Sequence, residues 1–78
     1  MKRIVTYDIK SGHDYTDFYE FVAQHNGEQI TESTYAITTS YNQEEFETKL
    51  KSLFRRGDSV YYISVNDKNR LFYKKIVL

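Results

Sequence analysis

Apolar and polar residues alternate from Ile4 to Ile9, and the run is β-branched and aromatic, which predicts a strand. Alternation gives it two faces, Val5/Tyr7/Ile9 toward a core and Ile4/Thr6/Asp8 away from it. After a loop at Lys10-Ser11-Gly12-His13 the period changes. Tyr15, Phe18, Tyr19 and Val22 fall at i, i+3, i+4 and i+7, so a helix capped by Asp14 is expected to run to about His25 with that stripe inward. Asn26-Gly27 ends it, with glycine supplying the left-handed residue. Residues 28–31 and 34–39 read as short strands joined by a turn or bulge at Glu32-Ser33. Asn42 and Glu45 make a capping box for a second helix with the stripe Phe46, Leu50, Leu53 and Phe54, and Gly57 is expected at its C′ position. Residues 59–65 are the clearest strand, residues 66–69 a turn, and residues 70–78 a last strand.

The order β-α-β-β-α-β plus a terminal strand is the split βαβ pattern. It predicts an α+β, ferredoxin-like fold, with one antiparallel sheet, two helices on one face and the other face open. The 78 residues allow one domain, residues 1–78, with a small core. Residues 70–78 carry Leu71, Phe72, Tyr73, Ile76, Val77 and Leu78, too much apolar surface for a free tail. They are expected to lie on the sheet of a second copy, closing a homodimer. The absence of cysteine excludes disulfides, thiolate zinc sites and cysteine nucleophiles. No apolar run approaches the ~18 residues of a membrane span, and the N-terminus turns polar too early for a signal peptide. A cytoplasmic protein with no membrane association is expected.

Charge adds an asymmetry that the zero net charge hides. Residues 4–48 hold nine acidic side chains and one basic, Lys10, whereas residues 49–78 hold eight basic and two acidic. Lys49, Lys51, Arg55, Arg56, Arg70, Lys74 and Lys75 are therefore candidate contacts to a nucleic-acid backbone. The alternative is helix charge that follows the dipole.

Most enzyme templates fail. There is no glycine-rich phosphate loop and no nucleophile elbow. His13 and His25 flank the first helix roughly 18 Å apart and read as surface residues. Asp14, Asp17 and Glu20 recur at i+3 spacing, which suits a hard cation or, more simply, a solvated helix face. The K/R-G-F/Y motif of RNA-reading sheets is missing from the third strand. Asp8 stands out, because a carboxylate that ends an apolar strand costs free energy if it is buried unpaired. Aspartates at strand ends hold Mg2+ or Mn2+ for phosphodiester chemistry. One is a poor site, and two across a dimer axis are a better one, with Ser33 placed to orient phosphate or water. The competing account makes Asp8 a structural residue bonded to the loop Ser11-Gly12.

Tyr7-Asp8-Ile9 at the end of the first strand, Gln29 to Ile37 with Glu32-Ser33-Thr34-Tyr35, and Asp58-Ser59-Val60-Tyr61-Tyr62-Ile63 together resemble the Cas2-like superfamily over almost the whole chain. Lys10-x-Gly12-x-Asp14-Tyr15 and Glu32-Ser33-x-Tyr35-Ala36-Ile37-x-Thr39 are similar to its stand-alone SinR-family branch, and VapD-like toxin ribonucleases are relatives. The resemblance implies a homodimer with sheets facing each other and the first-strand aspartates near the two-fold axis. It implies either metal-dependent nuclease activity, with Asp8 and Ser33 as site residues, or a scaffold role in which that aspartate is dispensable. Cas2 proteins often carry arginines at the start of the first helix; His13-Asp14-Tyr15-Thr16-Asp17 is acidic there. The reading that results is a non-catalytic adaptor for nucleic acid or another protein. The alternative is an endoribonuclease or endodeoxyribonuclease that uses Asp8 and Mg2+ or Mn2+.

Overall fold

A computed structural model describes residues 2–10, 15–65, 68 and 70–78. Five strands and two helices follow in the order β1 (Lys2–Asp8), α1 (Thr16–Gln24), β2 (Glu28–Thr31), β3 (Thr34–Thr38), α2 (Gln43–Leu53), β4 (Ser59–Val65) and β5 (Leu71–Val77). They form one antiparallel sheet in the order β2-β3-β1-β4-β5. The ferredoxin-like α+β architecture with an added strand is thus present.

Strand parity decides what the helices cover. The register aligns Val5 with Tyr35 and Tyr62, and Val60 with Ile76. These residues are buried, together with Phe18, Phe21 and Val22 of α1 and Phe46, Leu50 and Leu53 of α2. Ile4, Ala36, Ile63 and Tyr73 align in a row on the opposite face.

Several local expectations shift. The first helix begins at Thr16 with Tyr15 as its N-cap and no side-chain cap bond; Asp14 lies outside the described residues. Its inward stripe is Phe18, Phe21 and Val22, while Tyr19 is exposed. Asn26 rather than Gly27 takes the left-handed backbone, at φ 52°. Gly27 is fixed by space, because a Cβ there would sit 2.0 Å from Val22 Cγ1. The capping box forms as expected, with Glu45 N donating to Asn42 Oδ1 at 2.9 Å and Asn42 N to Glu45 Oε1 at 3.0 Å. However, α2 ends at Phe54, so Gly57, at φ +97°, serves the following turn and not the helix. Glu32-Ser33 is a turn, and the β2–β3 register shifts between Gln29 and Thr31.

The last strand also corrects an expectation. Residues 71–77 pair with β4 of the same chain, where a strand laid on a second copy was expected. Ile76 fills the chain's own core, Leu78 N donates to Asp58 O at 3.0 Å, and Gly57 N donates to Leu78 O at 2.9 Å. These local contacts anchor the strand at home.

Candidate functional site

Asp8 closes β1 opposite Ser59, on the open side of the sheet with Thr6 and Ile4. Its side chain is 67% exposed, so the desolvation cost that made it conspicuous in the sequence does not arise. Lys10 Nζ lies 3.9 Å from Asp8 Oδ2, an exposed pair worth little. A shallow concavity of about 250 Å3 is lined by Thr6, Tyr7, Asp8, Ser59, Val60, Tyr61 and Lys75. Ser33 reaches this end through its backbone, with Tyr7 N donating to Ser33 O at 3.1 Å. The neighbouring ring of Tyr7 stacks with Tyr15 and Tyr35, and its hydroxyl donates to Glu32 O at 3.3 Å. Burial, with the hydroxyls of Tyr19 and Tyr35 close by, holds the Tyr7 phenol neutral far above the ordinary tyrosine range.

Among the described residues, these donors do not make up a Mg2+ or Mn2+ site. Asp8 is the single carboxylate that lines the concavity, and Lys75 shares it. Mg2+ takes six oxygens, one or two of them from carboxylates and the rest from waters and substrate phosphate, so a lone exposed carboxylate beside a lysine is a weak anchor. No group of three or more His, Asp or Glu among the described residues can hold a metal ion. The i+3 carboxylate series is interrupted by Asp14, which lies outside the described residues, as do His13 and the loop Ser11-Gly12. His25 is structural, with Nδ1 2.9 Å from Phe21 O and its ring on Phe21 and Tyr41.

Asp58 binds the described start of the β1–α1 loop, at Lys10. Asp58 is fully buried between α2 and β4. Its Oδ1 accepts from Lys10 N at 2.9 Å, and its Oδ2 accepts from Arg55 N at 2.9 Å and from Tyr15 Oη at 3.2 Å. It thereby fixes the chain that leaves Asp8 and the turn that carries Arg55 and Arg56. Its position before an apolar strand was visible in the sequence, but no residue pattern revealed Lys10, Arg55 and Tyr15 as partners.

The candidate cations divide. Arg55 and Arg56 are exposed in the turn before Ser59, which pairs with Asp8, and Lys51 is exposed in the last turn of α2. These three share the Asp8 end of the sheet with Lys75. Lys74 points to the helix side and pairs with Glu47 at 3.1 Å. Lys49 lies over the Phe21 ring at 5.9 Å. Arg70 precedes β5 at the opposite end of the sheet.

Glu47 anchors a further interaction with a pH signature. It accepts from Tyr62 Oη and Lys74 Nζ. Burial alone would raise its pKa, but these hydrogen bonds and the lysine charge outweigh it and hold the carboxyl below the ordinary value of 4.5. Burial, together with the Glu47 carboxylate, raises the Tyr62 phenol well above its ordinary range. Because the folded pKa is depressed, this stabilisation is complete above the unfolded value and fades as pH falls through the folded one. Urea denaturation should find Glu47→Gln about 1 kcal/mol less stable than wild type at neutral pH. The gap should narrow below about pH 4.

One family of sequences matches the chain. The model of the CRISPR associated protein Cas2 matches residues 1–71. A search of curated proteins and a search of solved structures returned no match. No helix among the described residues is long and apolar enough to cross a membrane. With 71 of its 78 residues matched, the chain belongs to the CRISPR associated protein Cas2 family.

Proposed function

We propose that the chain acts as a non-catalytic homodimeric adaptor that holds nucleic acid by its phosphate backbone. The observation that carries this reading is the composition of the uncovered sheet face. Leu71, Tyr73 and Val77 are each about two thirds exposed or more, and Tyr61 joins them, alternating with Ile4, Ile63 and Val65. A contiguous apolar face of this kind on so small a domain calls for a cover. A second copy applied face to face buries the same patch on both sides by two-fold symmetry. Exposed Lys51, Arg55, Arg56 and Lys75 then line the Asp8 end of each subunit as phosphate contacts.

Such contacts give affinity without sequence preference, and affinity falls steeply with salt. Arg55→Ala with Arg56→Ala should weaken binding to a duplex about tenfold at low salt and flatten the slope of log affinity against log salt by about 2. Fluorescence anisotropy across a salt series measures both. Unchanged affinity or slope would remove this surface from the reading.

Asp8 favours a second reading, because it lies on the face that the dimer would cover. Two copies could meet across the axis and supply the second carboxylate that one chain lacks. The adaptor reading expects no cleavage of labelled RNA or DNA in Mg2+ or Mn2+ beyond that in EDTA. It also expects Asp8→Asn to behave as wild type. Metal-dependent cleavage that disappears in Asp8→Asn, with fold and dimer retained, would replace the adaptor by a nuclease.

A further inference from the structure

The opposite end of the sheet holds a cavity of different character. Arg3 shares parity with Val5, so it projects among the helices and is only 2% exposed. The register aligns it with Ser64, and Ser64 with Phe72, so Arg3, Ser64 and Phe72 form one row on the helix side of β1, β4 and β5. The start of α2 lies over the Arg3 end of this row, where Arg3 Nη2 reaches the chain just before it. Between α2 and β5 is a cavity of about 310 Å3, lined by Arg3, Asn42, Gln43, Ser64, Arg70, Leu71 and Phe72.

Arg3 is a buried cation with incomplete compensation. Nη1 donates to Ser64 Oγ at 2.5 Å, Nη2 donates to Tyr41 O at 3.1 Å, and the guanidinium lies 4.6 Å from the centre of the Phe46 ring. Its Nε is buried without a hydrogen-bond partner. Among the described residues no carboxylate stands within ion-pair distance of it. Arginine stays charged even when buried, and the Glu47 carboxylate compensates Arg3 only through space, with no direct ion pair among the described residues. Arg70 stands on the cavity wall, and the N-terminus of the 11-residue helix α2, capped by Asn42 and Glu45, lies beside it at Asn42-Gln43. Among the described residues no acidic side chain lines the cavity.

We propose that this cavity binds the phosphate monoester of a nucleotide. Two guanidinium groups and a helix N-terminus suit a doubly charged terminal phosphate. The concave shape, floored by the sheet, accepts a terminal group and not a strand that runs through. Phe72, exposed on the helix side, supplies an apolar wall for a flat base. The volume is at the small end of ligand sites. This site is on the helix side, so it does not depend on the dimer or on the cations near Asp8.

The test is a titration of the full chain with adenosine monophosphate, adenosine and inorganic phosphate, followed by calorimetry and amide NMR shifts. Adenosine monophosphate should bind saturably, with shifts centred on Arg3, Gln43, Ser64 and Phe72. Adenosine and inorganic phosphate should each bind about tenfold or more weakly. Because Arg3 variants can fail to fold, the exposed positions carry the mutational arm. Arg70→Gln should weaken binding about fivefold or more while the melting temperature holds, and Gln43→Ala, which adds no charge, should show whether the α2 start contributes. A 5′-phosphorylated oligonucleotide that displaces the mononucleotide supports the site with a strand end as the source. Failure to displace supports it with a free nucleotide. No saturable binding, equal binding of adenosine or phosphate alone, shifts centred elsewhere, or indifference to both substitutions would each overturn it.

Discussion

Asp58→Ala is expected to lower stability by about 3 kcal/mol or more. The carboxylate is fully buried and accepts from two backbone N–H groups and one tyrosine hydroxyl. Alanine would leave Lys10 N, Arg55 N and Tyr15 Oη without that acceptor, and a buried donor stripped of its partner loses its full solvation. Small domains have only about 5–15 kcal/mol in total, and 1 kcal/mol moves the melting point of a domain this size by about 4–8 °C. A fall of roughly 12 °C or more should therefore appear in a thermal melt. Asp58→Asn keeps one acceptor oxygen but turns an amide toward N–H groups, so it should fall between alanine and wild type. An alanine variant within about 1 kcal/mol of wild type would show that the β1–α1 loop and the α2–β4 turn are held by something else.

Ile63→Asp should dissociate the proposed dimer while the subunit stays folded. Ile63 sits in the middle of the open face, between Ile4 on β1 and Tyr73 on β5. In a face-to-face pair, symmetry places the substitution twice in one interface. Two carboxylates would lose water without a cationic partner and repel each other. The dissociation constant should rise about 100-fold or more. In the free subunit the same position borders solvent, so circular dichroism and the urea transition of the monomer should change little. The opposite pattern, a dimer that survives with Ile63→Asp, would move the interface to another surface.

The sequence carried the architecture well because most of its periodicities were unconflicted. Ser59–Val65 was read to the residue, and the Asn42/Glu45 capping box to the bond. Boundaries slipped where two local signals competed. Asn26 and Gly27 can both adopt a positive φ, and the close approach of Val22 to Gly27 assigned it to asparagine. Phe21 displaced Tyr19 from the inward stripe because the axis of α1 is set by tertiary packing on β3 and α2, which a three-four spacing cannot show. The site was less legible. Asp8 drew notice through the cost of burial, yet its side chain is largely exposed in the chain, while Asp58 was read only as part of a motif and its burial was not foreseen. Arg3 was visible in principle, since its parity with Val5 and Tyr7 puts a charge on the core face. The cation set split because Lys74 and Lys75, adjacent in β5, point to opposite faces, a consequence of strand period that composition does not reveal.

A homodimer formed by the open sheet faces meets its most direct test in cross-linking. The chain has no native cysteine, so each introduced one reports alone. Thr6→Cys lies on the open face beside Asp8, and Glu20→Cys lies exposed on α1 on the other side of the sheet. With a short bis-maleimide at micromolar protein, Thr6→Cys should convert to a species of twice 9.3 kDa, while Glu20→Cys stays at the single-chain mass. Failure of Thr6→Cys to cross-link, or equal cross-linking of Glu20→Cys, would contradict the face-to-face dimer.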